Sequence, residues 1–388
     1  MLRKHHFLAA LVSSVIACAP LHARAQDATA ESVSRHYAAL VHASYDDTLT
    51  GALALQRAVQ ALAAQPSADS LQAARKAWLD GREWYLQTEA FRFYGGPIDD
   101  DKGPEGRINA WPLDEAYIDY VKGKPNSGIV NDRKVLITKA NLARLNERGG
   151  EENVASGWHA IEFLLWGQDF NDKGPGDRSF EDYVDGKKPN ADRRRQYLSV
   201  VSELLVDDLR YVTGAWAAGS NNYRQRFEGG GLESVRKMIV GLGSLSRGEL
   251  AGERMEVALN TQDQEDEHSC FSDNTHRDIV ANATGIQNVW LGRYRRRDAS
   301  LLEGPSPNAL VAAKDAALAE RTSRNIAASV AAALAIQPPF DREIIGGKDA
   351  PGRQRVQKTI DSVVQQSKDL VDAAAALGIT RLTLVKSK

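Results

Sequence analysis

Residues 192–218, DRRRQYLSVVSELLVDDLRYVTGAWAA, set Tyr197, Val201, Leu204, Leu205, Leu209 and Val212 three or four positions apart, the period of a helix that buries one face. The same spacing recurs on both sides of this stretch, and strand signals are nearly absent. Toward the N-terminus, residues 28–64 form one candidate helix closed by Pro66. Residues 67–93 form the next, with Leu71, Ala74, Trp78, Tyr85 and Leu86 on its apolar face. These two are expected to pack antiparallel. Gly and Pro mark residues 95–112 and 167–189 as loops, with helices predicted between them at 114–121, 133–147 and 151–166. Toward the C-terminus, Gly229, Gly230 and Gly231 make a flexible break, followed by helical stretches at 232–259, 275–291, 308–336 and 353–377. The expectation is an all-α protein of two tandem, four-helix-bundle-like domains, 26–219 and 220–388, divided near Gly219. No convincing residue-level repeat relates the halves.

The 388 residues are 43% hydrophobic and 26% charged, a globular profile, and their number favours two domains. Lys and Arg total 49 against 51 Asp and Glu, so no global field attracts a polyanion, and general nucleic-acid binding is excluded. Residues 1–25 read as an export signal: Arg3 and Lys4, the apolar run from Phe7 to Ala17, Pro20, and Ala23-Arg24-Ala25 before a cleavage point. Cys18, after Val15-Ile16-Ala17, offers the alternative of a lipid anchor. The run is too short to span a bilayer, and no later segment comes closer, so no transmembrane segment is expected in the mature chain. Loss of Arg3, Lys4 and Arg24 moves the net charge from −2 to −5. Only Cys270 then certainly survives, so no intrachain disulfide is expected.

Gly157-Trp158-His159-Ala160-Ile161-Glu162 puts His159 and Glu162 three apart, on one helix face, where imidazole and carboxylate suit iron, zinc and related ions. The spacing alone also describes an ordinary surface contact. The apolar Phe163-Leu164-Leu165-Trp166 that follows implies burial, where polar groups need partners or a ligand. A second concentration spans residues 262–276 and holds Glu265, His268, Cys270, Asp273 and His276. If helical, it offers Glu265 with His268 and Asp273 with His276 as further pairs. If it is a loop, Thr275 and Asp278 read as a capping box for the next helix. Arg82 and Glu89, two turns apart, face a site between helices or form a surface charge pair.

Other signals carry less. Arg293-Tyr294-Arg295-Arg296-Arg297 reads as a helix C-terminal cluster, and Asn282-Ala283-Thr284 lies inside a predicted helix.

Three ordered blocks, Gly157 to Gly167, Ile108-Asn109-Ala110-Trp111-Pro112-Leu113-Asp114-Glu115, and His268 to His276, resemble the imelysin-like family, in the branch similar to iron-regulated proteins of type A. The resemblance covers nearly all of the mature chain. It implies an exported, two-domain helical protein of the bacterial periplasm or envelope, tied to iron acquisition, with a site between the bundles. The family is also classed as a peptidase, yet neither His-Glu-x-x-His nor His-x-x-Glu-His is present, and Glu162 would be ligand or base in such an enzyme.

The reading is a metal-binding protein of an iron-uptake system. His159 and Glu162 come from one bundle, His268, Asp273, Glu265 or His276 from the other, and Arg82 and Glu89 support them. The ion is iron, with zinc the alternative, free or in a small iron-containing ligand, and partners are envelope proteins of iron uptake. A metallopeptidase and a haem- or partner-binding scaffold are the rivals. One helical pair supplies two ligands where an ion wants four to six, so residues 265–276 are expected beside it.

Overall fold

The computed structural model of the chain describes residues 28–171, 173–219, 221–380 and 382–384. The predicted export signal, its cleavage point and Cys18 lie outside them. The fold is predominantly helical, with two short strands among the described residues.

Helix α1 (Ala30–Ala64) begins where Thr29 and Ser32 cap each other: each side-chain oxygen accepts the other's backbone N–H. Helix α2 (Ala68–Tyr85) starts in the same way from Ser67 and Ser70. The short link at Pro66 folds α2 back along α1. Helix α3 (Gly157–Trp166), in which every residue is buried, lies against α2 and against α4 (Ala191–Ala215). Trp78 meets Trp158 and Trp166 edge-on at 6.1 and 5.3 Å, a geometry aromatic quadrupoles favour.

In the C-terminal half, α5 (Leu232–Ser244) runs on into wide π-helical turns over Leu245–Glu256. Helix α6 (Thr275–Leu291), a small hairpin of Arg293–Arg295 with Leu301–Glu303, α7 (Ala316–Ala335) and α8 (Pro351–Ala376) follow. Helix α7 packs on α6 and α8, and α8 covers the π-helical stretch. The halves meet where a 3₁₀ continuation of α2, Leu86–Phe91, lies along α6. At Gly285 of α6 a Cβ would come within 2.3 Å of the Gln87 carbonyl oxygen, so only glycine permits this approach. One buried apolar cluster runs through both halves.

Several elements differ from the sequence expectation, each for a local reason. Only Lys139–Leu145 of 133–147 is helical. Arg193 donates to the carbonyls of Ile129, Val130, Asp132 and Val135, which holds that turn in place of a helical ladder. The stretch 308–336 divides because Asp315 caps a new helix by accepting the Leu318 N–H. The basic cluster at 293–297 follows directly on the end of α6 at Leu291 and forms a strand and turn, where Tyr294 and Arg296 both bond Asp47 on α1.

Candidate functional site

The centre of the molecule is fixed first by Gly157. Its φ is +87°, and a Cβ there would lie 2.4 Å from the Ile108 carbonyl oxygen, so α3 begins hard against residues 107–108. Ser156 Oγ donates to the Arg107 carbonyl at 3.0 Å. One turn into α3, His159 Nδ1 meets Glu162 Oε2 at 2.8 Å, with both side chains buried. Glu162 Oε1 accepts two bonds from across the molecule, the Ser272 N–H at 3.0 Å and the Ser272 Oγ–H at 2.6 Å.

Residues 265–276 do come beside the motif, through His268. His268 Nε2 lies 3.3 Å from His159 Nε2, and the two rings meet edge-on. His268 Nδ1 faces Asp278 Oδ2 at 2.7 Å, and Ser269 Oγ donates to the same oxygen at 2.6 Å. Asn274 Nδ2 donates to Asp278 Oδ1 at 3.0 Å.

Arg82, fully buried on α2, completes the group. Its Nη1 donates to Asn109 Oδ1. Its Nη2 stands 3.0 Å from His159 Nε2, 3.3 Å from His268 Nε2 and 3.2 Å from Asp278 Oδ2. The guanidinium also faces the rings of Trp78 and Tyr85.

This donor pattern assigns the protons. A guanidinium only donates, so His159 Nε2 accepts, and the ring proton sits on Nδ1 and points at Glu162. Asp278 accepts from Ser269, Asn274 and Arg82, so His268 also carries its proton on Nδ1. Burial, and then the neighbouring cations, hold both imidazoles well below their ordinary range: Arg82 acts on His159, Arg254 and Arg82 on His268. Burial pushes the Glu162 carboxyl up to about 8, against the Ser272 donors.

Both histidines are therefore neutral, and Arg82 Nη2 stands against both, 3.0 Å from His159 Nε2 and nearly equidistant from His268 Nε2 and Nδ1 at 3.3 and 3.4 Å. With Arg82 there the group does not enclose a metal ion. Among the described residues no set of three or more His, Cys, Asp or Glu side chains has metal-holding geometry.

The remaining sequence candidates lie elsewhere. Glu265, pushed up to about 7 by burial and then by Glu115, and Asp273, pushed up to about 7 by burial and then by Asp169, belong to an acidic group on the far side of the segment. His276 meets the Asp273 carbonyl at 3.1 Å and does not join His159. Arg82 and Glu89 do not pair with each other. Glu89 is buried between Arg92 at 2.6 Å and Arg254 at 2.7 Å, which outweigh its burial and hold its carboxyl at about 2. The capping reading of Thr275 and Asp278 is replaced. Asn274 occupies the cap position, Thr275 Oγ1 accepts the Ser269 N–H, and Asp278 turns inward to His268. Asp278, Asn109 and Ser272 are the site residues that sequence reasoning missed.

A cleft of about 350 Å³ opens onto this centre, with Asn109, Trp111 and His268 in its wall. Five glutamates line it, Glu105, Glu147, Glu151, Glu249 and Glu253, against one arginine, Arg92. Burial pushes Glu105 up to about 7 despite its 3.0 Å pair with Arg92.

Fold and site together define a predominantly helical protein with His159, Arg82 and His268 buried against one another at its centre. The model of the imelysin family, which carries a peptidase label, matches residues 41–370, and the chain belongs to that family. It is similar to iron-regulated protein A of Synechococcus elongatus, 26% identical over 260 residues, which is 64% of this chain. The match spans 61% of that relative's length. Two solved structures share the fold. An iron-regulated protein A precursor from Parabacteroides distasonis has a TM-score of 0.69 at 19% identity, over 91% of this chain and 97% of its own. An imelysin-like protein from Psychrobacter arcticum has a TM-score of 0.61 at 17% identity, over 92% and 98%.

Proposed function

We propose that this imelysin-family chain is a binding protein of the bacterial envelope that serves iron acquisition, exported to the periplasm by residues 1–25. Its cargo is a cationic iron species, the free ion or a small complex, received in the acidic cleft beside His268. The observation that carries this reading is the cleft itself. Five glutamates line it, Glu105 and Glu249 among them paired with Arg92 and Arg254, and carboxylate oxygens suit hard or borderline iron. The name of the cyanobacterial relative, iron-regulated, agrees with such a role.

The same geometry favours binding over hydrolysis. A peptidase needs a carboxylate able to take a proton from an attacking water, whereas both Glu162 oxygens are engaged by Ser272 and His159. No helix among the described residues is long and apolar enough to cross a membrane.

The test is titration of the untagged chain with ferrous iron under anaerobic conditions and with ferric citrate, followed by elemental analysis after dialysis. Retention of iron that weakens in Glu249→Gln and Glu253→Gln is expected. Failure of the wild-type chain to retain iron from either source overturns the reading.

A further inference from the structure

The acids on the far side of residues 262–276 lie where three stretches of chain are tied together. Gln264 Nε2 donates to the Asp169 carbonyl at 2.7 Å, and Gln262 Oε1 accepts the Gly346 N–H at 2.8 Å, so two glutamines join the segment to the loop of Asp169 and to the turn that follows Asp341–Ile344. Glu267 in this group is buried, and neither of its oxygens has a hydrogen-bond partner. The charges that act most strongly on it are those of Asp341, Asp273 and Asp169, all acids. Asp273 Oδ2 is a third buried oxygen without a partner, and the group beside it is the Asp169 carboxyl, another acceptor. Asp341 also lines a cavity of about 430 Å³ with Gln262, Gln264, Arg342 and the exposed Ile345.

Three buried acceptors with no donor are costly to leave unmade, and a primary ammonium brings three N–H donors together with a positive charge. We infer that Glu267 and Asp273 are the receptor of a primary ammonium group, entered from the cavity beside Asp341, with the alkyl chain of the ligand against Ile345. An ammonium asks only for hydrogen-bonding distance to separate oxygens, whereas a metal ion needs convergent ligands, and no set of three or more His, Cys, Asp or Glu side chains among the described residues has that geometry. Arg342, the one basic side chain in the cavity wall, bonds neither Glu267 oxygen. Without the ligand, burial and then the neighbouring acids push Asp273 up to about 7. The arriving cation favours the charged carboxylate, and the displaced proton goes to solvent. The cavity shares no lining residue with the cleft beside His268, so the inference stands apart from the iron reading.

The test is calorimetric titration of the wild-type chain with n-pentylamine, tetramethylammonium and Ca²⁺ at about pH 8, where the amine keeps its proton. Tetramethylammonium carries the same charge as protonated pentylamine and no N–H donor. Pentylamine is expected to bind at least about tenfold more tightly than either other cation. Glu267→Gln and Asp273→Asn, each checked for helical circular dichroism, should weaken pentylamine binding by about tenfold or more and leave iron retention as in the wild-type chain. Nα-acetyl-lysine amide, titrated alongside, separates the sources of the ammonium group. Affinity equal to or above that of pentylamine assigns a lysine side chain of a partner, and lower affinity assigns a free amine.

Pentylamine binding no tighter than that of tetramethylammonium overturns the inference, a comparison that needs no variant. Unchanged pentylamine affinity in both folded variants also overturns it, because the amine then binds elsewhere. So does a Ca²⁺ affinity above that of pentylamine, which would make the acids a metal site.

Discussion

Residues 262–276 build two polar regions of opposite character on their two sides. On the inner side, His268, Ser269 and Ser272 meet His159, Glu162, Arg82 and Asp278, and each carboxylate there has several donors. On the outer side, Glu267 and Asp273 gather near Asp169 and Asp341. Glu267 is buried with no hydrogen-bond partner on either oxygen, and the Thr275 hydroxyl beside it falls outside bonding geometry. Burial, and then the neighbouring acids, push Asp273 up to about 7, and burial pushes Asp169 up to about 6. The inner region satisfies its charges with partners from four separate stretches of chain. The outer one lacks such donors, and there, as at Glu162 on the inner side, burial raises the carboxyls toward their protonated form. Acidic density in sequence thus does not say which carboxylates are partnered within the chain; the supply of opposing donors does.

The largest expected effect tests the inner region. Asp278→Ala leaves Arg82 buried without its ion pair and strips acceptors from His268, Ser269 and Asn274. A loss of about 3–5 kcal/mol is expected in urea unfolding, read as a lower midpoint at unchanged slope. A loss below about 1 kcal/mol would show that the inner charges are not organised as described. Ser272→Ala removes one of the two donors from Ser272 to Glu162 and keeps the backbone bond. About 1.5–3 kcal/mol is expected in the same measurement.

The outer region should respond to pH through its raised acids. An acid whose folded value lies above its unfolded one holds its proton more tightly in the native state. Stability from Asp169 and Asp273 is therefore complete below their ordinary value of 3.8 and is lost as pH rises through about 6 to 7. Melting temperature is expected to fall between about pH 5 and pH 8, and Glu267→Gln to recover part of that fall at the upper end. A flat profile would erase the contrast between the two sides. The smallest effect belongs to His276→Ala. Bonded only to a neighbouring carbonyl, His276 should change stability by no more than about 0.5 kcal/mol and leave iron retention as in the wild-type chain. A loss of retention would move the site toward the outer side.

Much of this was open to sequence reading. Period-3.6 spacing at 28–64, 192–218 and 353–377 matches α1, α4 and α8 because long amphipathic helices record their buried face in the order of their residues. His159 with Glu162 followed from spacing and from the burial that Phe163 to Trp166 implied, whereas residues 265–276 were expected beside them to supply further ligands to an ion and meet them through His268 without enclosing one. The division of that segment into two faces did not, because it is an irregular turn with no period to count, and Asp273 sits there at a φ of 54°.

By itself the sequence determined the long amphipathic helices and the pairing of His159 with Glu162, since each depends on residues within a few positions of one another. Tertiary structure decided what those groups do. Arg82 and Asp278, 196 positions apart, meet at 3.2 Å only because the continuation of α2 lies against α6 at Gly285. A charge pair on one helix can be read from spacing. A buried guanidinium between two histidines depends on distances that close only when the chain has folded, and those distances make Arg82 an occupant of the centre instead of a surface charge.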